Sequence, residues 1–222
     1  MERIRPILFN TEMVRAILAG RKTVTRRVVK QVVWEDFVCE GGKMLHYFDQ
    51  KRNIFESPIY KAPYQVGDIL YVRETWNYGY IETSDEPGNS EEWFEPLQLD
   101  EEHGTYIEAL SRYFYKADDA PGSDVGMVWR PSIHMPKEVA RIWLKVTDVR
   151  VERLQEATNP IKYPHGKDNT IIREGFKRTC DFIDCWNSTI KKSDLDKYGW
   201  NANPWVWVTE FERCGKPESE GA

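Results

Sequence analysis

The chain contains little that would place it in a membrane or direct it to one. None of its 222 residues belongs to an apolar run that approaches the roughly 20 residues of a membrane helix. Its start, MERIRPILFN, is too short and too charged to resemble a signal peptide. We therefore expect a soluble, cytoplasmic protein that does not bind membranes.

Cysteine and histidine are scarce, with four of each. Only Cys180 and Cys185 are close together, and CDFIDC is neither a CxxC zinc knuckle nor a redox motif. The histidines show no HExxH or HxxxH spacing, and no Walker loop, GxGxxG or GxSxG is present. The sequence therefore predicts neither a metal site nor a cofactor.

Negative charge is concentrated in one part of the chain. The net charge is −5, but residues 77–126, called the acidic segment below, contain thirteen acidic and two basic residues, a local charge of −11. The remainder therefore carries +6, so an anionic ligand is not excluded. The turn sequences PGNS and PGSD favour a solvated, partly mobile insertion. The alternative is an acidic flap that shields a basic site from the wrong anions.

Capping and periodicity predict two helices. Asn10 is suited to cap a helix that begins near Thr11, and Gly20 is suited to end it in a left-handed conformation. A second helix is predicted from Asn169 to about Ser188, where apolar residues recur at three- and four-residue steps.

Most of the remaining elements are predicted to be strands, because they are rich in β-branched or alternating residues. WRPSIHMP is predicted to be extended, and residues 31–62 to be an irregular insertion or a loose hairpin around EGGK. We predict an α+β mixed barrel with two or three helices, formed as a single domain over residues 1–214. Two irregular insertions are expected at about 31–62 and 77–126, and a disordered tail at 215–222. The stretch Tyr64–Trp76 is predicted to form a turn at Gly67-Asp68 and then a strand. The other predicted strands are Arg5–Phe9, Val24–Val29, Tyr113–Ala117, Ala140–Leu154 and Asn203–Arg213.

Several stretches, taken in order, resemble one family. A strand and a helix precede G-x-K-x-x-T-x-R, a V-G-D-x-L strand follows, and an aromatic strand near the end finishes in E-F. This order resembles the ASCH domain (activating signal cointegrator homology), a β-barrel related to the PUA domain of RNA-modifying proteins. The longer phrases KTVTRRV, VGDILYVRETW, RPSIHMPKEVARIWLKVTDVRVERLQ and NPWVWVTEF are most similar to ASCH proteins encoded by phages and prophages. The resemblance covers residues 4–30, 63–76, 129–156 and about 172–213.

The resemblance implies a PUA-like barrel whose cleft holds RNA or a modified nucleoside. Some short bacterial relatives are amidohydrolases that act on acetylated cytidine through a lysine, a threonine and a glutamate. Lys22 and Thr25 match the lysine and the threonine of the motif. The nearest counterpart of the glutamate is Glu174 in REGF, which follows the insertion NPIKYPHGKDN.

The stretch GRKTVTRR leaves several roles open when it is considered without the family. Lys22 suits the negative end of the preceding helix. If it is desolvated, its lowered pKa would let it act as a base toward the Thr25 hydroxyl, and if it stays charged it would hold a phosphate. Arg26 and Arg27 point to opposite faces of a regular strand, so at most one of them should line the same cleft.

Glu74 stands out because it shares a strand face with apolar neighbours in LYVRETW. A carboxylate that is buried there needs a partner, and we expect Lys22 or an arginine of GRKTVTRR to supply it. The pair would be either structural or functional. Trp205 and Trp207 are candidates for core packing or for stacking on bases, and His134, held between prolines, is a candidate for a cleft wall.

The leading prediction is binding of RNA or of a nucleoside or nucleotide in a basic cleft. The alternative is hydrolysis of an amide on a modified nucleoside such as acetylcytidine, and a third possibility is a phage accessory protein whose surface binds another protein. The oligomeric state is left open. The candidate catalytic residues are Lys22, Thr25, Glu174 and Glu74, and the candidate ligand-binding residues are Lys22, Arg26, Arg27, Glu74, Trp76 and His134.

Overall fold

A computed structural model describes most of the chain. It covers residues 3–30, 37–40, 43–46, 60–84, 91–99, 101–118, 127–159 and 170–217, with the backbone alone at 37–40, 43–46 and 60–61. The chain divides into two compact units. The first is Met1–Arg5, Ala16–Leu70 and Trp143–Ala222, and the second is Pro6–Arg15 and Tyr71–Ile142.

The secondary structure is α+β, as predicted. In the part of the chain that the structure describes, five short helices accompany the strands: α1 (Thr11–Leu18), α2 (Thr105–Leu110), α3 (Thr170–Arg173), α4 (Thr179–Thr189) and α5 (Leu195–Tyr198). The strands are β1 (Ile4–Leu8), β2 (Val24–Val28), β3 (Phe37–Glu40), β4 (Lys43–His46), β5 (Tyr60–Lys61), β6 (Ile69–Arg73), β7 (Trp76–Thr83), β8 (Glu92–Pro96), β9 (Arg112–Tyr115), β10 (Trp143–Arg153) and β11 (Trp205–Cys214).

The described strands form three sheets, with the orders β1-β6-β10-β11-β2, β3-β4-β5 and β8-β7-β9. Among these strands no sheet closes into a barrel, so the predicted PUA-like barrel is not confirmed. The hairpin predicted around EGGK is confirmed, because Glu40 pairs with Lys43 between β3 and β4. No helix in the described part of the chain has both the length and the apolar character needed to cross a membrane.

The local signals around α1 are confirmed. Asn10 Oδ1 accepts a hydrogen bond from the Met13 backbone N–H at 2.9 Å, so Asn10 caps the first turn. Gly20 ends the helix with φ of 70°, a left-handed conformation that a residue without a Cβ adopts at little cost. These signals succeed because each depends on residues only a few positions apart.

The first unit is built on the long antiparallel pair β10 and β11, and β11 also pairs with β2. The β2–β11 register places Val28 opposite Val206 and Arg26 opposite Val208. On the face of the sheet that carries Val28 and Val206, apolar side chains pack against helical segments that follow β10 and precede β11. Together they form a buried cluster. The cluster contains Val24, Leu154, Ala157, Ile171, Phe182, Trp186, Val206 and Val208.

The single helix predicted over residues 169–188 is wrong, because two helices occupy this stretch, α3 and α4. The chain turns at Gly175, whose φ is 98°. A Cβ at Gly175 would lie 2.9 Å from that of Ala16, so only glycine fits without a shift of its neighbour. The apolar period continues through the break, which is why periodicity alone did not reveal it.

The expectation of an irregular acidic segment is also wrong where the structure describes it. β7 pairs with β8 and with β9. Phe94, Phe114 and Met127 form a small buried cluster. The apolar residues of this second unit come from separate short strands, so the sequence contains no long apolar pattern.

Two smaller corrections concern residues near this sheet. The strand predicted from Tyr64 to Trp76 ends at Arg73, and Trp76 begins β7, where it pairs with Tyr115. The segment predicted as extended between two prolines contains a 3-10 turn, Ser132–His134.

Candidate functional site

Residues 173–175 lie against the turn that joins α1 to β2. The Thr23 N–H donates to the Arg173 carbonyl at 2.8 Å, and the Arg21 guanidinium donates to the Gly175 carbonyl at 2.9 Å. The left-handed Gly175 lets the chain make this close approach. As a result, Glu174 is held beside the turn that carries Lys22.

Lys22 lies in the turn before β2, and its side chain is entirely buried. Its ammonium donates to the carbonyls of Val24 and Glu174 at 2.8 and 2.9 Å, and to Glu174 Oε2 at 2.8 Å. Burial lowers the pKa of Lys22, while the nearby Glu174 carboxylate acts in the opposite direction. The lysine and the glutamate proposed from the motif are therefore in direct contact.

Glu174 also binds Arg26. Arg26 Nη1 donates to Glu174 Oε1 at 2.7 Å, and Arg26 Nη2 donates to Glu152 Oε2 at 3.3 Å. The side chains of all three residues are at most 3% exposed. Buried charges of this kind are stable only when they are paired.

More charged residues continue this network across the sheet face. Arg150 donates to Glu152, Glu210 and Asp148, and Arg173 donates to Glu210. Burial raises the pKa of Glu210, but its hydrogen bonds from Arg173 and Arg150 outweigh that effect and hold the pKa below the usual value. We call the eight residues the ionic cluster: Lys22, Arg26, Arg150, Arg173, Asp148, Glu152, Glu174 and Glu210. Its four cations balance its four carboxylates.

Thr25 and Arg27 lie on the opposite face of β2 from Arg26, because successive side chains of a strand alternate. Thr25 is buried opposite Thr209, and its hydroxyl accepts a hydrogen bond from Arg27 Nη1 at 3.3 Å. The structure thus brings Lys22 and Glu174 together, whereas the strand directs Thr25 toward the other face.

A pocket of about 400 Å³ lies on the Thr25 side of the sheet. Arg27 pairs with Trp207 across β2 and β11, and both line the pocket. Arg27 and Lys30 are exposed, whereas Trp207 is buried. We call this the Arg27 pocket, and its lining is Arg27, Val28, Val29, Lys30, Pro63, Tyr64 and Trp207.

The electrostatics of the Arg27 pocket are basic. Burial raises the pKa of Tyr64, and the positive charges of Arg27 and Arg5 oppose that rise. Arg5 is held near the pocket by a hydrogen bond of 2.6 Å from its Nη1 to the Pro63 carbonyl. Arg27 and Lys30 therefore line an aromatic concavity with Arg5 beside it, an arrangement that suits a planar anion.

Glu74 belongs to the second unit, where it pairs with Arg141. Arg141 Nε and Nη2 donate to the two Glu74 carboxylate oxygens at 3.0 Å each, and Nη1 donates to Asp118 at 2.8 Å. The guanidinium also lies 3.9 Å from the ring centroid of Tyr115. Burial raises the pKa of Glu74 even though Arg141 opposes the rise. The partner expected from the sequence, Lys22 or an arginine of GRKTVTRR, is replaced by Arg141.

The other two candidate ligand-binding residues also lie in the second unit. Trp76 is 2% exposed, and its indole Nε1 has no hydrogen-bond partner among the described residues. The Arg130 guanidinium lies 5.3 Å from the Trp76 ring centroid. His134 is exposed at the end of the 3-10 turn. Trp76 is therefore placed in the core, whereas His134 is on the surface.

Sequence reasoning missed two residues of the Arg27 pocket, Tyr64 and Lys30. Tyr64 comes just before the predicted turn at Gly67, and Lys30 follows the predicted β2 strand. Neither position has a local signal for a site. Trp207 was considered for stacking, and the antiparallel register is what brings it to Arg27.

Comparison with protein-family models, curated proteins and solved structures finds no match to this chain. The ASCH resemblance therefore stays a prediction that depends on its motifs. Within the described residues there is no group of three or more histidine, cysteine, aspartate or glutamate side chains arranged to hold a metal ion.

Proposed function

We propose that this chain is an ASCH-type, PUA-like protein that binds RNA, or a nucleoside or nucleotide, in the Arg27 pocket. One observation carries the proposal. Two exposed cations, Arg27 and Lys30, and two aromatic side chains, Tyr64 and Trp207, line a single pocket of about 400 Å³. That volume falls in the range of pockets that bind small molecules.

Each part of the pocket suits one part of a nucleotide. The planar guanidinium of Arg27 offers paired N–H donors to phosphate oxygens, and the Lys30 ammonium adds a point charge. Tyr64 is half-buried, so part of its ring is open to contact with a base. Trp207 is 5% exposed and serves as the apolar floor.

The proposal moves ligand contact away from Lys22 and Arg26. Their side chains are 0% and 1% exposed, and their hydrogen bonds go to carbonyls and carboxylates of the first unit. In this proposal the ionic cluster holds β2 in place, and Arg27 on the opposite face of β2 meets the ligand.

Fluorescence anisotropy of a short labelled single-stranded RNA, measured over a series of salt concentrations, tests the proposal. Arg27→Ala and Lys30→Ala should each weaken binding and reduce the slope of log affinity against log salt by about 0.7, the value for one phosphate contact on a single strand. Lys192→Ala is the matched control, because Lys192 is exposed and lies outside the pocket lining. Absence of RNA binding at low salt, or equal losses in all three variants, would refute the proposal.

Amide hydrolysis is the second candidate, and the contact of 2.8 Å between Lys22 and Glu174 favours it. Burial lowers the pKa of Lys22, as a general base requires. The enclosure of both side chains opposes it, because a substrate has no access to a lysine that is 0% exposed. Binding is therefore the function that the geometry supports better.

A further inference from the structure

The sheet β8-β7-β9 of the second unit has two different faces. On one face, Ile81, Phe94 and Phe114 pack with Met127 and Trp129. Because strand side chains alternate, the residues between them point the other way. The second face carries Trp76 and Tyr115 at one end. Its remaining residues, called the tyrosine–glutamate face below, are Tyr78, Tyr80, Glu82, Trp93, Glu95 and Tyr113.

Aromatic rings and carboxylates alternate across the tyrosine–glutamate face. The register pairs Tyr80 with Glu95 and Glu82 with Trp93, so each carboxylate lies directly opposite a ring. Directly opposed residues have Cβ atoms about 5 Å apart. The Trp93 indole N–H also donates to Glu95 Oε1 at 2.8 Å. The carboxylates are therefore held among the rings.

Tyr113 completes the row of rings on this face, and Tyr106 extends the aromatic surface beyond the sheet. Tyr113 packs on Tyr78 with ring centroids 5.0 Å apart. Tyr106 belongs to α2, which contacts β7. Burial raises the pKa of Tyr80, and Glu82, Glu95 and Tyr106 raise it further. Tyr106 is 78% exposed, Tyr113 42% and Trp93 37%. These rings are thus accessible to a partner.

Among the described residues, the arginines near this surface have other partners. Arg130 lies over the Trp76 ring and donates to the Leu97 carbonyl at 2.6 Å. Arg141 lies over the Tyr115 ring and pairs with Glu74 and Asp118.

Arg112 is opposite Gly79 in the register, so its side chain points away from the tyrosine–glutamate face. Its guanidinium lies 4.8 Å from the ring centroid of Phe114, on the packed face of the sheet. The carboxylates of Glu82 and Glu95 therefore keep their negative charge on the exposed side.

We propose that the tyrosine–glutamate face docks a lysine- or arginine-rich segment of a protein partner. Aromatic rings attract cations over their faces, and a carboxylate accepts two hydrogen bonds from one guanidinium. Along a strand of this face, side chains recur at every second residue, about 6.8 Å apart. Alternate side chains of an extended basic segment have the same spacing, so they can meet successive rings and carboxylates. The negative charge repels nucleic acid, so this occupant differs from the ligand of the Arg27 pocket.

Binding of a fluorescent arginine-rich peptide to the full chain tests the charge contribution. The double variant Glu82→Gln/Glu95→Gln removes two charges from the face, and Glu92→Gln/Glu101→Gln is the matched control with the same net charge. Glu92 points to the opposite face of β8, and Glu101 lies outside the sheet. We expect about fivefold weaker peptide binding in the first variant, from two ion pairs of ordinary strength, and wild-type binding in the control. Equal weakening in both variants would show that binding follows overall charge and would overturn the proposal.

A second substitution tests the aromatic contribution at a position that the fold does not need. Tyr106→Phe keeps the ring, whereas Tyr106→Leu removes it, and the 78% exposure of Tyr106 makes both compatible with folding. The proposal expects Tyr106→Phe to bind the peptide like the wild type and Tyr106→Leu to bind several-fold more weakly. Equal peptide binding by Tyr106→Phe and Tyr106→Leu would overturn the proposal. So would binding of an acidic peptide or of RNA to the chain, if the affinity for that ligand changes in the Glu82→Gln/Glu95→Gln variant.

Discussion

The Lys22 ammonium contacts Glu174 twice, at 2.8 Å from the carboxylate Oε2 and at 2.9 Å from the backbone carbonyl. The other carboxylate oxygen of Glu174 accepts a hydrogen bond from Arg26 at 2.7 Å. One residue of the α3–α4 connection therefore joins the turn before β2 to β2 itself. Because Lys22, Arg26 and Glu174 are buried, each of them depends on being paired.

Glu174→Gln should destabilise the protein by about 3 to 5 kcal/mol, because it leaves Lys22 and Arg26 buried without their counter-charge. Urea unfolding measures the change. The control is Asp181→Asn, which breaks the pair of Asp181 with Arg178 at 2.5 Å, where the arginine side chain is 72% exposed. Because solvent screens an exposed pair of this kind, its loss should change stability far less than the loss of Glu174. If Glu174→Gln costs no more than Asp181→Asn, the ionic cluster does not stabilise the first unit.

Acetylated cytidine separates the binding protein from the hydrolase. We expect no acetate release from the wild type, because Lys22 is enclosed and β2 directs Thr25 to the opposite face from Arg26. Thr25→Val, which keeps the shape and removes the hydroxyl, is the control protein in an acetate assay. If the wild type releases acetate and Thr25→Val does not, the protein is a hydrolase, and the site around Lys22 must open in solution.

Tyr115 should make the protein less stable at high pH. Burial raises its pKa from 10.0 to about 12, and the negative charges of Glu74 and Asp118 contribute, while Arg141 opposes them. As the pH rises above 10, the unfolded chain loses this proton first, so the free energy of unfolding falls between about pH 10 and 12.

The phenylalanine variant isolates this effect of Tyr115. Tyr115→Phe should show less loss of stability over that pH range, with a constant offset of about 1 kcal/mol for the lost hydrogen bond of 2.8 Å to the Val139 carbonyl. Urea unfolding at several pH values provides the comparison. In an ultraviolet absorbance titration, the tyrosinate signal that appears near pH 12 in the wild type should be absent from Tyr115→Phe. Identical pH profiles for the two proteins would contradict the assignment.

Gly79→Ala should destabilise the second unit by about 1 to 3 kcal/mol, the usual cost of overpacking. A Cβ at Gly79 would lie 2.1 Å from the Glu95 carbonyl oxygen and 2.8 Å from the Phe94 ring. Gly104→Ala is the control, because a Cβ there meets nothing within 4 Å and its φ of −59° is ordinary. Thermal unfolding should show a lower midpoint only for Gly79→Ala. Equal midpoints would mean that β7 and β8 do not pair in solution.

The same sheet changes the outcome expected for a larger replacement. If the acidic segment were the partly mobile insertion that its turn sequences predict, replacing residues 82–108 with a Gly/Ser linker would leave the fold intact. That replacement removes β8 and α2, and with β8 it removes Phe94, which packs edge-to-face on Phe114 with centroids 5.3 Å apart. We therefore expect the replacement to lower the melting temperature. An unchanged melting temperature would show that residues 82–108 do not stabilise the second unit.

The sequence by itself determined the features that depend on close neighbours. The Asn10 cap, the left-handed Gly20 and the strand character of VTRRVV all follow from hydrogen bonds and backbone preferences within a few residues. The pairing of Lys22 with Glu174, 152 positions away, was suggested only by the family resemblance, in which Glu174 is the nearest counterpart of the family's glutamate.

Only the tertiary structure decided which distant groups meet. Glu74 pairs with Arg141 rather than with Lys22, and Arg27 meets Trp207 because of the β2–β11 register. A buried charge must find a partner, but the sequence does not say which one, since a partner is chosen by sheet register and by the turn at Gly175. Those depend on the whole packed unit, which forms as one cooperative structure rather than residue by residue.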